Sequence, residues 1–107
     1  MNKFDVVIEN VAEQDLRSIF KYISDTFLEL NTANNILHDF YTAIDSLEVF
    51  PLRHPVILKE RYPDLNLRRL VVKNYSIIYY VDASNNIVHI LSVISNRRDL
   101  NKLFNES

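Results

Sequence analysis

The chain has 107 residues, 48% of them apolar, and a formal net charge of −2, which together predict one small domain over residues 1–107. It contains no cysteine, which excludes disulfide scaffolds, thiolate metal sites and thiol catalysis. It also contains no glycine, which excludes the Walker phosphate loop, the dinucleotide-binding turn and the GxSxG nucleophile elbow. We expect a soluble, cytoplasmic protein with no signal peptide or membrane span, and no metal or organic cofactor.

The first half of the sequence predicts a strand and two helices. Residues 3–8 are rich in β-forming side chains and predict a short strand. Two helical patterns follow, one from Asn10 over about 20 residues and one from Asn31 or Thr32 to about Val49. Their apolar positions are Leu16, Ile19, Phe20, Ile23, Phe27 and Leu30 in the first helix, and Ala33, Ile36, Leu37, Phe40, Ile44 and Leu47 in the second. Because the patterns lie only a few residues apart, the helices should form an antiparallel hairpin.

The second half predicts an irregular segment and then three strands. Prolines at positions 51, 55 and 63 oppose regular structure as far as residue 66. Three β-rich runs at 67–73, 75–82 and 87–94 have connections too short for crossovers, which predicts an antiparallel meander. Residues 99–104 predict a short C-terminal helix. The fold class is therefore α+β, with the helical hairpin on one face of an antiparallel sheet and the other face available for function.

The turns of the meander must form without glycine. Asparagine adopts positive φ more readily than other non-glycine residues. We therefore expect Asn74, Asn85 and Asn86 to take the turn positions that glycine usually fills.

Charge is divided unevenly along the chain. Residues 1–52 contain three basic and nine acidic side chains, whereas residues 53–107 contain nine basic and five acidic ones. The net charges are thus −6 and +4, and such asymmetry indicates either directed electrostatic interactions or two solvated faces that differ in charge. We expect a partner to bind the basic half.

Clustered cations of the second half are the candidate binding residues. They are Arg68, Arg69, Lys73, Arg97 and Arg98. Strand alternation predicts that Arg69 and Lys73 share one face of the sheet and Arg68 the other. Paired arginines bind phosphate and carboxylate bidentately, so an RNA backbone and an acidic peptide fit equally well. The alternative is ordinary surface pairing, for which the nearby acids are Asp64, Asp82 and Asp99.

Other polar side chains give weaker signals. Tyrosines 75, 79 and 80 either offer stacking surfaces for bases or lie in the core with their hydroxyls at the rim. The histidines at 38, 54 and 89 share no metal-ligand spacing, and Ser92 and Ser95 have no histidine at a predictable distance. The helix acids, Asp15 among them, mostly lie off the apolar stripes and are interpreted as solvated.

Several strings in their order resemble the RelE/ParE family, the toxins of type II toxin–antitoxin modules. The most specific is LRRLVVKNYSIIYYV at residues 67–81. It is preceded by DLRSIFKYI at 15–23 and LEVFP at 47–51, and followed by the strand at 88–93 and Arg97-Arg98-Asp99. The resemblance covers nearly the whole chain and implies an α+β RelE/ParE-like fold, growth inhibition and plasmid stabilisation.

Two activities divide the family that the chain resembles. ParE-like members inhibit DNA gyrase, and RelE-like members cleave mRNA in the ribosome. The long paired helices and the Arg97-Arg98-Asp99 ending resemble the ParE branch, whereas the tyrosine or histidine that nucleases often carry near the C-terminus is replaced here by Phe104. We expect gyrase inhibition, with ribosome-dependent mRNA cleavage as the alternative. In that alternative the candidate catalytic residues are Arg69, Lys73, Arg97 and Arg98.

The resemblance also implies a cognate antitoxin as partner. We expect an acidic, amphipathic segment that lies over the helical hairpin or the sheet and covers some of the basic residues. The five candidate cations named above are then contacts for the antitoxin or the target. A family member that binds its antitoxin without being toxic is the third possibility.

Overall fold

The computed structural model describes residues 3–27 and 30–96. Its strands are β1 (Asp5–Ile8), β2 (Arg68–Val72), β3 (Tyr75–Asp82) and β4 (Ile87–Ser95). Two helices, α1 (Asn10–Phe27) and α2 (Leu30–Asp45), lie between β1 and β2, followed by 3₁₀ turns at Ser46–Glu48 and Pro51–Arg53. The α+β class, the helical hairpin and the three-stranded meander are confirmed. The helix predicted at residues 99–104 lies outside the described residues.

The four strands form one sheet in the order β1-β4-β3-β2. Both hairpins of the meander are antiparallel, as predicted, but β1 pairs in parallel with β4, so the sheet is mixed. The prediction of a wholly antiparallel sheet was therefore wrong. The outer edge of β2 is partly covered by the preceding segment, since Arg69 N–H donates to Pro55 O (3.1 Å) and Ile57 N–H donates to Leu67 O (2.8 Å). The opposite edge of the sheet is formed by β1, which lies next to β4.

The core lies between the helices and one face of the sheet. Alternation along each strand sends one set of side chains to this face and the other set to the opposite face, which we call the open face although Ser76, Ile78 and Ile94 on it are buried. The helical stripes are confirmed, because α1 buries Leu16 and α2 buries Phe40 and Ile44 against Val88 and Ile90 of β4. Leu30 departs from the prediction, since it begins α2 instead of ending α1 and is 64% exposed. The predicted stripe position Phe27 lies outside the residues whose side chains are described.

Positive φ angles occur where turns require them, although the residues differ from those expected. Asn86 is confirmed at φ 56°, but the expectation for Asn74 and Asn85 was wrong. Lys73, the first residue of the two-residue turn between β2 and β3, takes φ 54° in place of Asn74. Phe50 also lies in the left-handed region. For a residue with a Cβ this conformation costs about 1–2 kcal/mol.

Asp15 of α1 joins the helical layer to an irregularity in β4. Its Oδ2 accepts hydrogen bonds from the Ser92 hydroxyl and the Val93 N–H, both 2.9 Å. The register between β3 and β4 shifts at this point, since Ile78 faces Ser92 and Tyr79 faces Ile90. The interpretation of Asp15 as a solvated acid was therefore wrong, because the bulge turns donors toward α1.

Candidate functional site

The five predicted cations divide into two groups. Arg97 and Arg98 lie outside the described residues. Arg68, Arg69 and Lys73 are described, and all three belong to β2 or to its turn into β3. The three side chains have different environments, and the environment of each side chain determines whether its charge is available to a binding partner.

Arg68 is bonded to the irregular segment that precedes β2. Its Nη1 donates to Leu52 O at 2.9 Å and to His54 O at 2.6 Å. These bonds hold the segment against the sheet, so Arg68 does not project freely toward solvent. Its charge remains, because carbonyl oxygens satisfy the donors without neutralising the cation.

Arg69 reaches the open face, as alternation predicted, but it is held there by polar groups. Its Nε donates to the Ser76 hydroxyl at 2.7 Å, and its Nη2 donates to Asn96 Oδ1 at 3.1 Å. The Ser76 hydroxyl also donates to Asn96 Oδ1, and the Asn96 N–H donates to Asn74 O at 2.8 Å. We call Arg69, Ser76 and Asn96 the Arg69 network; it ties β2, β3 and the end of β4 together.

Lys73 does not share the open face with Arg69, contrary to the prediction. Its positive φ ends the regular strand, and its Nζ lies 3.2 Å from Asp39 Oδ2 of α2. Both side chains are substantially exposed, so the pair contributes little to stability. Lys73 therefore lies beside the helices rather than over the open face.

Neither Arg68 nor Arg69 pairs with Asp64 or Asp82, the two acids considered from the sequence that the structure describes. Within residues 3–27 and 30–96, Arg68 and Arg69 form no salt bridge, and Asp82 accepts a 2.8 Å bond from the Asn85 amide. That side-chain hydrogen bond is the main reason why the pKa of Asp82 is lowered. Asp99 lies outside the described residues.

Of the three tyrosines considered for base stacking, two are committed to the protein interior. Tyr79 is fully buried, and its hydroxyl donates to Pro51 O at 2.6 Å. Burial raises the pKa of Tyr79 to about 12, against the opposing effect of Arg68. Tyr75 packs edge-to-face on Phe40, with ring centroids 5.4 Å apart. Tyr80 is the one that lies on the open face.

Tyr80 belongs to a group on the open face that sequence reasoning did not assemble. Its ring stacks on His89, with centroids 4.7 Å apart and planes at 13°. The Nδ1 of His89 lies 3.6 Å from Glu9 Oε1. Glu9 follows β1, whose parallel pairing with β4 brings the carboxylate to the imidazole. The sequence pattern that could have placed Glu9 in this group is the alternation of β1, which puts residues 5, 7 and 9 on the open face.

A sequence profile described as "ParE toxin of type II toxin-antitoxin system, parDE" matches residues 6–100. The chain belongs to this toxin family. No curated protein matches it. The matched range includes every described strand and helix except the first residue of β1.

Solved structures show that this ParE-family toxin shares its fold with both branches considered from the sequence. It is 14% identical to a chain of the chromosomal ParDE system from P. aeruginosa, with a TM-score of 0.68 and coverage of 87% of this chain and 96% of that one. It is 24% identical to a chain of the RelE–RelB complex from Pyrococcus horikoshii, with a TM-score of 0.63 and coverage of 91% of this chain and 99% of that one. It is 21% identical to a chain of the RelBE2 complex from Mycobacterium tuberculosis, with a TM-score of 0.59 and coverage of 89% of this chain and 93% of that one.

A groove runs between the two helices of the toxin. Its volume is about 280 Å³, and its apolar lining includes Phe20, Leu37 and Tyr41. The Glu13–Arg17 ion pair, 2.6 Å between carboxylate and guanidinium, lies at this groove. An apolar floor with a charged rim suits the side chains of an amphipathic helix.

The part of the toxin that the structure describes offers no metal site or membrane span. No group of three or more acidic and histidine side chains there could hold a metal ion. No helix in the same residues is long and apolar enough to cross a membrane. The absence of an organic cofactor stays a prediction.

We expect acidification to destabilise the toxin through His54. Burial, then the charges of Arg53 and Arg68, lower the pKa of His54 from 6.5. The unfolded chain therefore binds this proton first, so the free energy of unfolding falls as pH decreases below about 6.5. One proton limits the slope to about 1.4 kcal/mol per pH unit. Urea unfolding between pH 7.5 and 5 measures it.

A histidine-specific control separates this effect from general acid unfolding. His54→Gln should flatten the dependence, and His38→Gln, on the exposed side of α2, is the matched control. Equal slopes for wild type and His54→Gln would show that another group carries the dependence.

Proposed function

We propose that this ParE-family toxin arrests growth by inhibiting DNA gyrase. The observation that carries the proposal is the family match across residues 6–100, because ParE-like members act on gyrase. The described cations support it. Arg68 and Arg69 donate to protein groups and Lys73 lies beside α2, so the three cations do not converge on one place where they could clamp a scissile phosphate.

We also propose that a cognate antitoxin neutralises the toxin. Solved relatives in fold are the toxin–antitoxin complexes named above, which supports a protein partner of this kind. The apolar groove between α1 and α2 accepts one face of an amphipathic helix. The groove lies in the half of the chain with a net charge of −6, so the acidic residues of the antitoxin belong against the basic second half and not in the groove. Arg97 and Arg98 remain candidate contacts, and reversing their charge should slow association at low salt.

The alternative, ribosome-dependent mRNA cleavage, is favoured by one observation. The Glu9 carboxylate lies 3.6 Å from Nδ1 of His89 on the open face, beside Tyr80. A carboxylate–imidazole pair of this kind can accept a proton through the second ring nitrogen. It supplies the proton-transfer group that the sequence lacks at Phe104.

One induction experiment distinguishes the two activities. Expression of the toxin without antitoxin should arrest growth and produce gyrase–DNA cleavage complexes, while the map of mRNA 5′ ends stays as in uninduced cells. New 5′ ends that disappear in His89→Gln and persist in His38→Gln would support the nuclease and contradict the gyrase proposal. Absence of any arrest would favour a non-toxic antitoxin binder.

A further inference from the structure

The turn between the two 3₁₀ segments exposes an aromatic side chain in a costly conformation. Phe50 has φ 48° and ψ 49°, in the left-handed region, and is 63% exposed. It follows Val49, whose backbone is extended, and precedes Pro51, which begins the second 3₁₀ turn. We call residues 50–54 the Phe50 turn.

Neither the backbone nor the core explains a phenylalanine at this position. The left-handed conformation is adopted at lower cost by glycine or asparagine. Burial is small, since most of the ring faces solvent, and the next-but-one residue, Leu52, is 56% exposed as well. A strained residue whose side chain the fold does not use points to a role outside the fold.

The electrostatic surroundings of the Phe50 turn are positive. Arg53 donates to the carbonyls of Val49 (2.7 Å) and Phe50 (2.9 Å), and Arg68 donates to those of Leu52 and His54. Carbonyl oxygens occupy the donors but leave both charges uncompensated; within the described residues neither arginine forms a salt bridge. The same two charges act on His54.

We propose that the Phe50 turn is the surface through which the toxin contacts its target, and that this target is a protein with an apolar pocket bordered by carboxylates. Phe50 and Leu52 would enter the pocket as anchors, and Arg53 and Arg68 would attract its acidic rim. A nucleic acid fits less well, because Leu52, one of the two exposed apolar side chains of the turn, is aliphatic and offers no ring on which a base could stack. The assignment to the target rests on the proposed function. It leaves the α1–α2 groove, which shares no residue with the turn, to the antitoxin.

The substitution Phe50→Gly tests the surface without a penalty to the fold. It removes the ring and relieves the backbone, so the urea midpoint should stay equal or rise. Phe50→Asn is the second variant, since it also tolerates positive φ. Both should raise the toxin concentration that half-inhibits purified gyrase by at least about tenfold. Leu65→Asn, which removes another half-exposed apolar side chain, is the matched control and should inhibit like wild type.

The outcomes separate this inference from the proposed function. Equal inhibition by wild type and Phe50→Gly overturns the inference and leaves gyrase as target. If wild type does not inhibit gyrase, the proposed function fails, and growth arrest decides instead: arrest retained by Phe50→Gly overturns the inference, and arrest lost selectively supports it for another target. Binding of labelled single-stranded RNA or duplex DNA to wild type, abolished in Phe50→Gly, would identify a nucleic acid and overturn the protein assignment.

Discussion

Replacing Asp15 by alanine should lower the free energy of unfolding by about 2–4 kcal/mol. The carboxylate accepts two hydrogen bonds at the β4 bulge, one from a side chain and one from the backbone. Truncation leaves the Val93 N–H and the Ser92 hydroxyl without their acceptor in a site covered by α1, and each unsatisfied group costs about 1–3 kcal/mol. Urea unfolding measures the loss as a shift in midpoint at constant slope.

A matched substitution on the same helix sets the scale for this loss. Asp25→Ala removes an exposed carboxylate that pairs with Lys21 at 3.2 Å, and it should cost no more than about 0.5 kcal/mol. Asp15→Asn retains an acceptor oxygen and should fall between the two alanine variants. Equal midpoints for the variants Asp15→Ala and Asp25→Ala would contradict the view that Asp15 anchors α1 to the sheet.

Periodic patterns made the elements and the core predictable. The spacing of Phe40, Ile44 and Leu47 identified the buried side of α2 and of the 3₁₀ turn that follows it, and alternation placed Arg69 on the open face. These predictions succeeded because burial depends on local spacing, which the sequence displays directly. The family resemblance was equally predictable, since it rests on contiguous strings.

Contacts between distant segments were not predictable in this way. Ser92 meets Asp15 across 77 positions of sequence, and no local pattern marks the bulge that allows it. The partners of Arg68 are carbonyls of an aperiodic, proline-rich segment. Glu9 and His89 meet because β1 pairs in parallel with β4, a topology that the meander alone did not specify. The candidate site therefore differed from its prediction more than the fold did.

Replacing Arg69 by lysine should destabilise the toxin by about 1–3 kcal/mol although it keeps the charge. Arg69 donates from Nε to Ser76 and from Nη2 to Asn96, two directions that a single ammonium cannot reproduce. The Ser76 hydroxyl is buried, so losing its partner carries a desolvation cost. The control is Arg17→Lys, in an exposed pair with Glu13, which should cost no more than about 0.5 kcal/mol.

A double-mutant cycle then shows whether Arg69 stabilises the fold through its hydrogen bonds to Ser76 and Asn96 or serves mainly as a positive charge for a partner. Ser76→Ala and Arg69→Lys act on the same bond, so the double variant should lose less stability than the two single variants added together. If Arg69 instead contacts an anionic partner directly, Arg69→Lys should retain most of the growth arrest and the stability losses should add. Asn96 is the last described residue after β4, so its bond to Arg69 also fixes the position at which this strand ends. Loss of arrest in step with loss of stability, in both Arg69→Lys and Asn96→Ala, is therefore the result that the network predicts.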